Sequence, residues 1–195
     1  MKLLSSLFES RDYSAGVVAA RAMTQQYPRH GFGWKALGAM LQAAGHATEA
    51  LEAKQHAARL LPLDAEAACN LGHSLQDLDQ TTQAETVLLQ ALALRPDYPE
   101  AHNNLAITYQ KMGRLNAAEA HFRAALALVP QHKSIFGNLL FTRNYHPDHS
   151  AEAVYADYQA YEQRIASPLR AHWQPHSNSR VPGRRLKVGY VSPDF

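Results

Sequence analysis

Four prolines, Pro28, Pro62, Pro96 and Pro130, stand 34 residues apart with no insertion between them, and longer phrases of sequence recur at the same spacing. A fixed period of this length admits few folds. Each copy is too small to bury its apolar face alone, so copies must stack, and the product is a curved rod with a continuous core and a long groove. The bulk numbers, 46% hydrophobic and 18% charged residues, are those of ordinary globular material and permit such a core.

With proline as the thirty-second position of each unit, full units cover residues 31 to 64, 65 to 98 and 99 to 132. Position seven reads Leu37, Leu71, Leu105; position eight reads Gly38, Gly72, Ala106; position eleven reads Leu41, Leu75, Tyr109. With Trp34 these make an apolar stripe at helical spacing, and the small eighth residue lets a second helix approach closely. Gly45, Asp79 and Gly113 fall where the first helix should end in a left-handed residue. Ser14, Thr48, Thr82, Asn116 and Ser150, again 34 apart, are expected to cap the second helices, Thr82 with Glu85 as a capping box. Ala50, Ala84, Ala118 and Ala57, Ala91, Ala125 supply the small seam of those helices, with Leu88 and Phe122 filling the larger gap.

A 34-residue helix-turn-helix with this distribution of Trp, Leu-Gly, Tyr, Ala, Phe, Ala and Pro resembles the tetratricopeptide repeat family. The resemblance implies an all-α fold, a right-handed α-α superhelix. Residues 1–30 read as a partial repeat, followed by the units at 31–64, 65–98 and 99–132. Residues 133–166 form a divergent capping unit in which Phe136, Asn138 and Leu139 keep register, while Glu152 replaces the alanine and Arg164 the proline. A polar last unit closes the exposed end of such an array.

The sixth position reads Ala36, Asn70, Asn104, Asn138. At about 100° per residue it points roughly 150° away from the stripe, out of the helix pair. In stacked units of this family the first helices line the inner surface, so Asn70, Asn104 and Asn138 are candidate peptide-binding residues. Each amide offers two donors and an acceptor, the groups needed to hold a peptide backbone whatever its sequence. Asparagine is a mediocre helix former, which makes three in mid-helix unexpected without a use. Gln42, Gln76 and Gln110 also recur, but glutamine suits an exposed helix surface for structural reasons.

The composition narrows the partners. Nineteen basic against seventeen acidic residues give +2, without the one-sided basic face that nucleic acid or an anionic membrane requires. The single Cys69 cannot build a disulfide framework, which fits a reducing cytoplasm, and no secretory signal or membrane-spanning segment is legible. His146 with His149 and His172 with His176 lack a metal-binding motif, and Pro175 breaks the second pair, so no metal is expected. Protein or peptide partners remain, and the repeats also offer a surface for a homodimer.

Residues 167–184, rich in Pro, Ser, His and Arg, read as a linker, and residues 185–195 begin with an alternating, β-forming run that Pro193 stops. A lone strand has no partners for its backbone groups, so it is expected to open a further domain. Here the chain resembles a narrower family. The sixth-position asparagines, Asn138-Leu139-Leu140, Asn144-Tyr145-His146-Pro147-Asp148 and the segment from Leu186 to Phe195 look like a bacterial protein O-GlcNAc transferase of the SPINDLY type. That resemblance implies a glycosyltransferase using UDP-GlcNAc as donor without a metal, with the repeats delivering protein substrates and no cofactor held by this chain. The family's catalytic histidine and nucleotide-binding residues follow the strand, so no catalytic residue maps here and the chain alone is expected to be inactive. The alternative is a free-standing repeat scaffold for protein-protein interaction with no enzymatic activity.

Overall fold

The computed structural model describes residues 2–174, and every regular element among them is helical. The strand expected within 185–195, residues 175–184 of the expected linker, and His176 lie outside the described residues. The helices are α1 (Lys2–Glu9), α2 (Tyr13–Gln26), α3 (Gly31–Ala43), α4 (Ala47–Leu60), α5 (Ala65–Asp77), α6 (Thr81–Leu94), α7 (Pro99–Lys111), α8 (Leu115–Leu128), α9 (Lys133–Asn144) and α10 (Ala151–Tyr161). A π-helical turn, Glu162–Ala166, and a 3-10 helix, Ser167–His172, continue from α10.

Antiparallel partners α3/α4, α5/α6 and α7/α8 pack as hairpins, and each second helix packs on the next first helix. The first helices α3, α5, α7 and α9 also touch in succession, with no comparable contact joining α4, α6 and α8. The first helices therefore form the inner, concave side of the stack.

The turns inside the hairpins explain the constant period. Arg11, Gly45, Asp79 and Gly113, themselves 34 apart, all have left-handed backbones, with φ of 58°, 84°, 56° and 73°. The residue after each one donates its N–H back into the helix just ended: His46 to Leu41 O, Gln80 to Leu75 O, Arg114 to Tyr109 O, at 2.9, 2.8 and 2.9 Å. This closure satisfies the last carbonyls and reverses the chain in three residues. Arg11 continues the series in the first unit, where no glycine advertises it.

Because the reversal is so short, the second helices begin earlier than the caps inferred from sequence. Ser14, Thr48, Thr82 and Asn116 are each the second residue of their helix, and the N-cap positions fall to Asp12, His46, Gln80 and Arg114. Only Ser150 caps as expected, accepting from the Ala153 N–H at 3.2 Å. The Thr82–Glu85 capping box does not form; Arg114 Nη1 donates to Glu85 Oε1 at 2.8 Å instead.

The stripe positions are buried as their register requires, with Leu37, Leu71 and Leu105 at 4%, 9% and 0% exposure. Position eight sets the spacing of the hairpin. A Cβ at Gly72 would meet Leu88 Cγ at 2.5 Å, and one at Gly38 would meet Lys54 Cγ at 2.6 Å. In these two hairpins the helices close as they do because that atom is missing, whereas the α7/α8 hairpin accommodates the methyl of Ala106. Position four ties two of the units to the one before: Trp34 Nε1 donates to Pro28 O at 2.8 Å, and His102 Nε2 to Pro96 O at 3.0 Å, while Ala68 in the unit between has no such donor. A bare carbonyl next to the repeated proline is thereby satisfied by an indole or an imidazole alike.

The last unit is held differently. Helix α10 contains no buried residue, although Phe136 meets Tyr161 edge-on at 5.3 Å and Ile165 is buried in the π turn. The charged side chain of Arg143 supplies the anchor. It is 6% exposed, its Nη1 donates to Glu119 Oε1 of α8 at 2.6 Å, and its Nε pairs with Asp157 of α10.

Candidate functional site

The inner helices α5, α7 and α9 carry the sixth-position residues. Asn70, Asn104 and Asn138 are all half-buried there, on α5, α7 and α9. Their amides are partly engaged between repeats. Asn138 Nδ2 donates to Asn103 Oδ1 at 3.2 Å, Asn103 Nδ2 to Asn104 Oδ1 at 3.4 Å, and Asn104 Nδ2 to Cys69 Sγ at 3.6 Å. Position six of one unit thus reaches position five of the unit before it. For Asn70 that neighbour is Lys35, which turns elsewhere, bonding Asp64 and Glu66 at 2.9 and 2.8 Å. Burial opposes charge on Lys35, but those two acidic partners win and raise its pKa. Asp64 is lowered despite burial, because Lys35 and the N–H groups of Ala67 and Glu66 favour its carboxylate.

Cys69 lies below this ladder as an inert group. Burial pushes its thiol up to about 11, outweighing the bonds from Tyr98 and Asn104. Burial likewise raises Tyr98.

The recurrent glutamines do not form an exposed surface. Gln76 is buried and Gln42 and Gln110 are half-buried. Gln110 Nε2 donates to Thr142 Oγ1 at 3.2 Å, and Gln42 Oε1 accepts from Ser74 Oγ at 2.9 Å, so this position stitches one first helix to the next. The 34-residue recurrence was the legible signal; that it served stacking required knowing which helices are neighbours.

The groove changes character along its length. At one end Phe8, Phe32, Ala36, Ala39, Met40 and Glu66 line a hollow of about 310 Å³, in the place where Ala36 interrupts the asparagines. At the other, Phe141 and Tyr145 lie with ring centroids 4.7 Å apart and are 54% and 67% exposed. Sequence reasoning missed both ends, because position nine is polar in one unit and aromatic in another.

One cluster has a metal-like composition. Glu119, His146 and His149 offer ligand atoms within 4.8 Å of one another. A fixed cation already fills the place, since Arg143 Nη1 lies 2.6 Å from Glu119 Oε1 and 3.1 Å from His149 Nε2. His146 accepts the Asp148 N–H at Nδ1 and donates from Nε2 to Asn116 Oδ1 at 2.8 Å. A dication would have to displace a guanidinium and two hydrogen bonds, so the group is an ionic clasp between α8 and the last unit. The Glu119 carboxyl, although partly desolvated, is lowered by His149, Arg123 and Arg143.

Together, the hairpins, the closures and the stacked inner helices make this a tetratricopeptide-repeat array. The tetratricopeptide repeat family model matches residues 63–131. No curated protein matches the chain in sequence. Among solved structures the fold is similar to MamA, with a TM-score of 0.76 at 17% identity over 89% of this chain and 99% of that one. PilW, a type IV pilus biogenesis factor, is similar with a TM-score of 0.75 at 23% identity over 84% of this chain and 74% of that one. YrrB, described as a tetratricopeptide-repeat protein with an unusual peptide-binding site, gives 0.70 at 18% identity, covering 88% of each. These identities speak for the fold. Among the described residues no helix is long and apolar enough to cross a membrane.

Proposed function

We propose that the concave face binds an extended segment of a protein partner, with Asn70, Asn104 and Asn138 holding its backbone. The observation that carries this reading is the half-buried asparagine file on successive inner helices, one per unit, with amide and carbonyl capacity left after their inter-repeat bonds. The apolar hollow at Ala36 and the Phe141–Tyr145 pair supply side-chain subsites at either end. The peptide-binding site named for YrrB lends support from a similar fold.

Within that reading, the array serves as the substrate-recruiting part of a protein O-GlcNAc transferase-like glycosyltransferase, working in the cytoplasm on Ser or Thr of proteins with UDP-GlcNAc as donor. The junction sequence from Leu186 to Phe195 supports it. The second reading, a scaffold without enzymatic activity, is favoured by the family match, which concerns the repeats alone.

Titration with a library of unstructured peptides tests the groove. Replacing the three asparagines together with alanine should weaken binding at least tenfold while leaving helicity unchanged; unaltered affinity removes the asparagines from the site. The product of the native gene, incubated with labelled UDP-GlcNAc and a bound peptide containing serine, separates the readings: label transfer supports the transferase, and binding without transfer supports the scaffold.

A further inference from the structure

At position twenty-four the third and fourth units place Leu88 and Phe122, both fully buried, and the second places Lys54, which is only 5% exposed. The amine occupies a site built for a hydrocarbon. Gly38 makes room for its stem, and its Nζ donates to Ser74 Oγ at 2.6 Å and Gln42 Oε1 at 3.1 Å. Ser74 also donates to Gln42 Oε1, and Gln42 Nε2 donates to Asp77 Oδ2 at 2.7 Å. A small polar network therefore lies between α3, α4 and α5.

The apolar core parts at the same place. Ala20, Leu37, Met40, Leu41, Ala50 and Ala53 form one cluster, and a second runs from Leu51 on the other side of α4 through to Ile165. In a linear array the cooperativity of folding is carried by the interface between neighbouring units, so a seam where the buried apolar cluster is interrupted by a buried charge is where cooperativity fails first.

We propose that the seam around Lys54 is a built-in joint dividing the array into two cooperative segments, α1–α4 and α5–α10, which part more readily while the amine is protonated. The groups facing Lys54 are few. From α3 there are Gly38 and the neutral amide of Gln42; from α5 there are Ser74, the Cys69 thiol, and Asp77, which also meets His73 at 3.5 Å. Asp77 reaches Lys54 through Gln42, so no carboxylate neutralises the amine directly. Burial lowers its pKa to about 8, against the opposing pull of Asp77, so the charge is shed within two or three pH units of neutrality. This inference is independent of the peptide reading, because it concerns how the units hold one another.

Native-state hydrogen exchange on the whole chain, corrected for intrinsic rates, tests it. At pH 7 the slowest amides of α2–α4 should exchange at least tenfold faster than those of α5–α8. K54M should slow the α2–α4 amides by tenfold or more and leave α7 and α8 unchanged. Raising the wild-type pH from 7 to 9.5 should narrow the gap in the same direction, an arm that stands even if K54M fails to fold. Equal protection in both segments at pH 7, or a gap indifferent to K54M or, where K54M does not fold, to pH, would overturn the joint.

Discussion

Lys54 Cγ lies 2.6 Å from the point that a Cβ on Gly38 would occupy, and Leu88 Cγ stands in the same relation to Gly72, at 2.5 Å. The two hairpins are thus closed by the absence of one atom on the first helix, against side chains of very different chemistry on the second.

The consequence differs between the two sites. Gly72→Ala forces a methyl against branched Leu88, whose Cδ2 is also within 2.7 Å, and should cost about 1 to 3 kcal/mol despite the better helix propensity of alanine. Gly38→Ala meets an unbranched, pliable stem and should cost less. Chemical denaturation of both variants checks the order.

Lys54→Met should stabilise the array at neutral pH. The folded pKa of about 8 lies below the ordinary 10.5, so the protonated amine penalises the folded state fully below about pH 8, and the penalty fades as pH rises toward 10.5. The difference, 10.5 − 8, corresponds to about 3 kcal/mol at about 1.4 kcal/mol per unit. The Ser74–Gln42 bond survives the substitution. Stability curves for the two proteins at pH 7 and pH 10 should converge at the higher pH.

Arg143→Ala leaves Glu119 and Asp157 facing one another across a poorly hydrated seam and should destabilise the last unit by about 3 kcal/mol or more, as expected when one partner of a buried ion pair is removed. Loss of protection in α9 and α10 ahead of the remaining helices, read by hydrogen exchange, would localise the effect. Arg123→Ala, whose side chain is half exposed on the same carboxylate, should change stability little.

His102 and His121 face each other Nδ1 to Nδ1 at 2.9 Å. His102 Nε2 donates to Pro96 O, and in the tautomer this selects its Nδ1 accepts from the His121 Nδ1–H. Burial and the neighbouring His102 lower the pKa of His121. The folded state therefore resists a proton that the unfolded chain takes up near pH 6.5, and stability should fall as pH drops below that value. Proton NMR titration should place His121 below the ordinary histidine range, and His102→Gln should raise it.

Much of the fold was legible because a strict 34-residue period turns one local pattern into a global one. Leu37, Leu71 and Leu105, the alanine seam and the left-handed Gly45, Asp79 and Gly113 all stand where periodicity placed them. The helix starts were displaced for a local reason: the Gly45-His46 closure restarts the chain sooner than a Thr48 cap allows. The glutamines and the Glu119–Arg143–His149 clasp were opaque, since partners 24 to 35 residues away have no mutual signature in the sequence.

By itself the amino-acid sequence determined the unit, its helical pair and the side of each helix that must be buried, because these follow from spacing and side-chain volume within one period. Only the tertiary structure decided what lies between periods: which asparagine amides are engaged with the preceding unit, that Gln42 and Ser74 receive the Lys54 amine, and that the core parts around it. Those outcomes depend on the relative placement of helices a whole repeat apart, which is fixed by packing across the stack and written in no single unit.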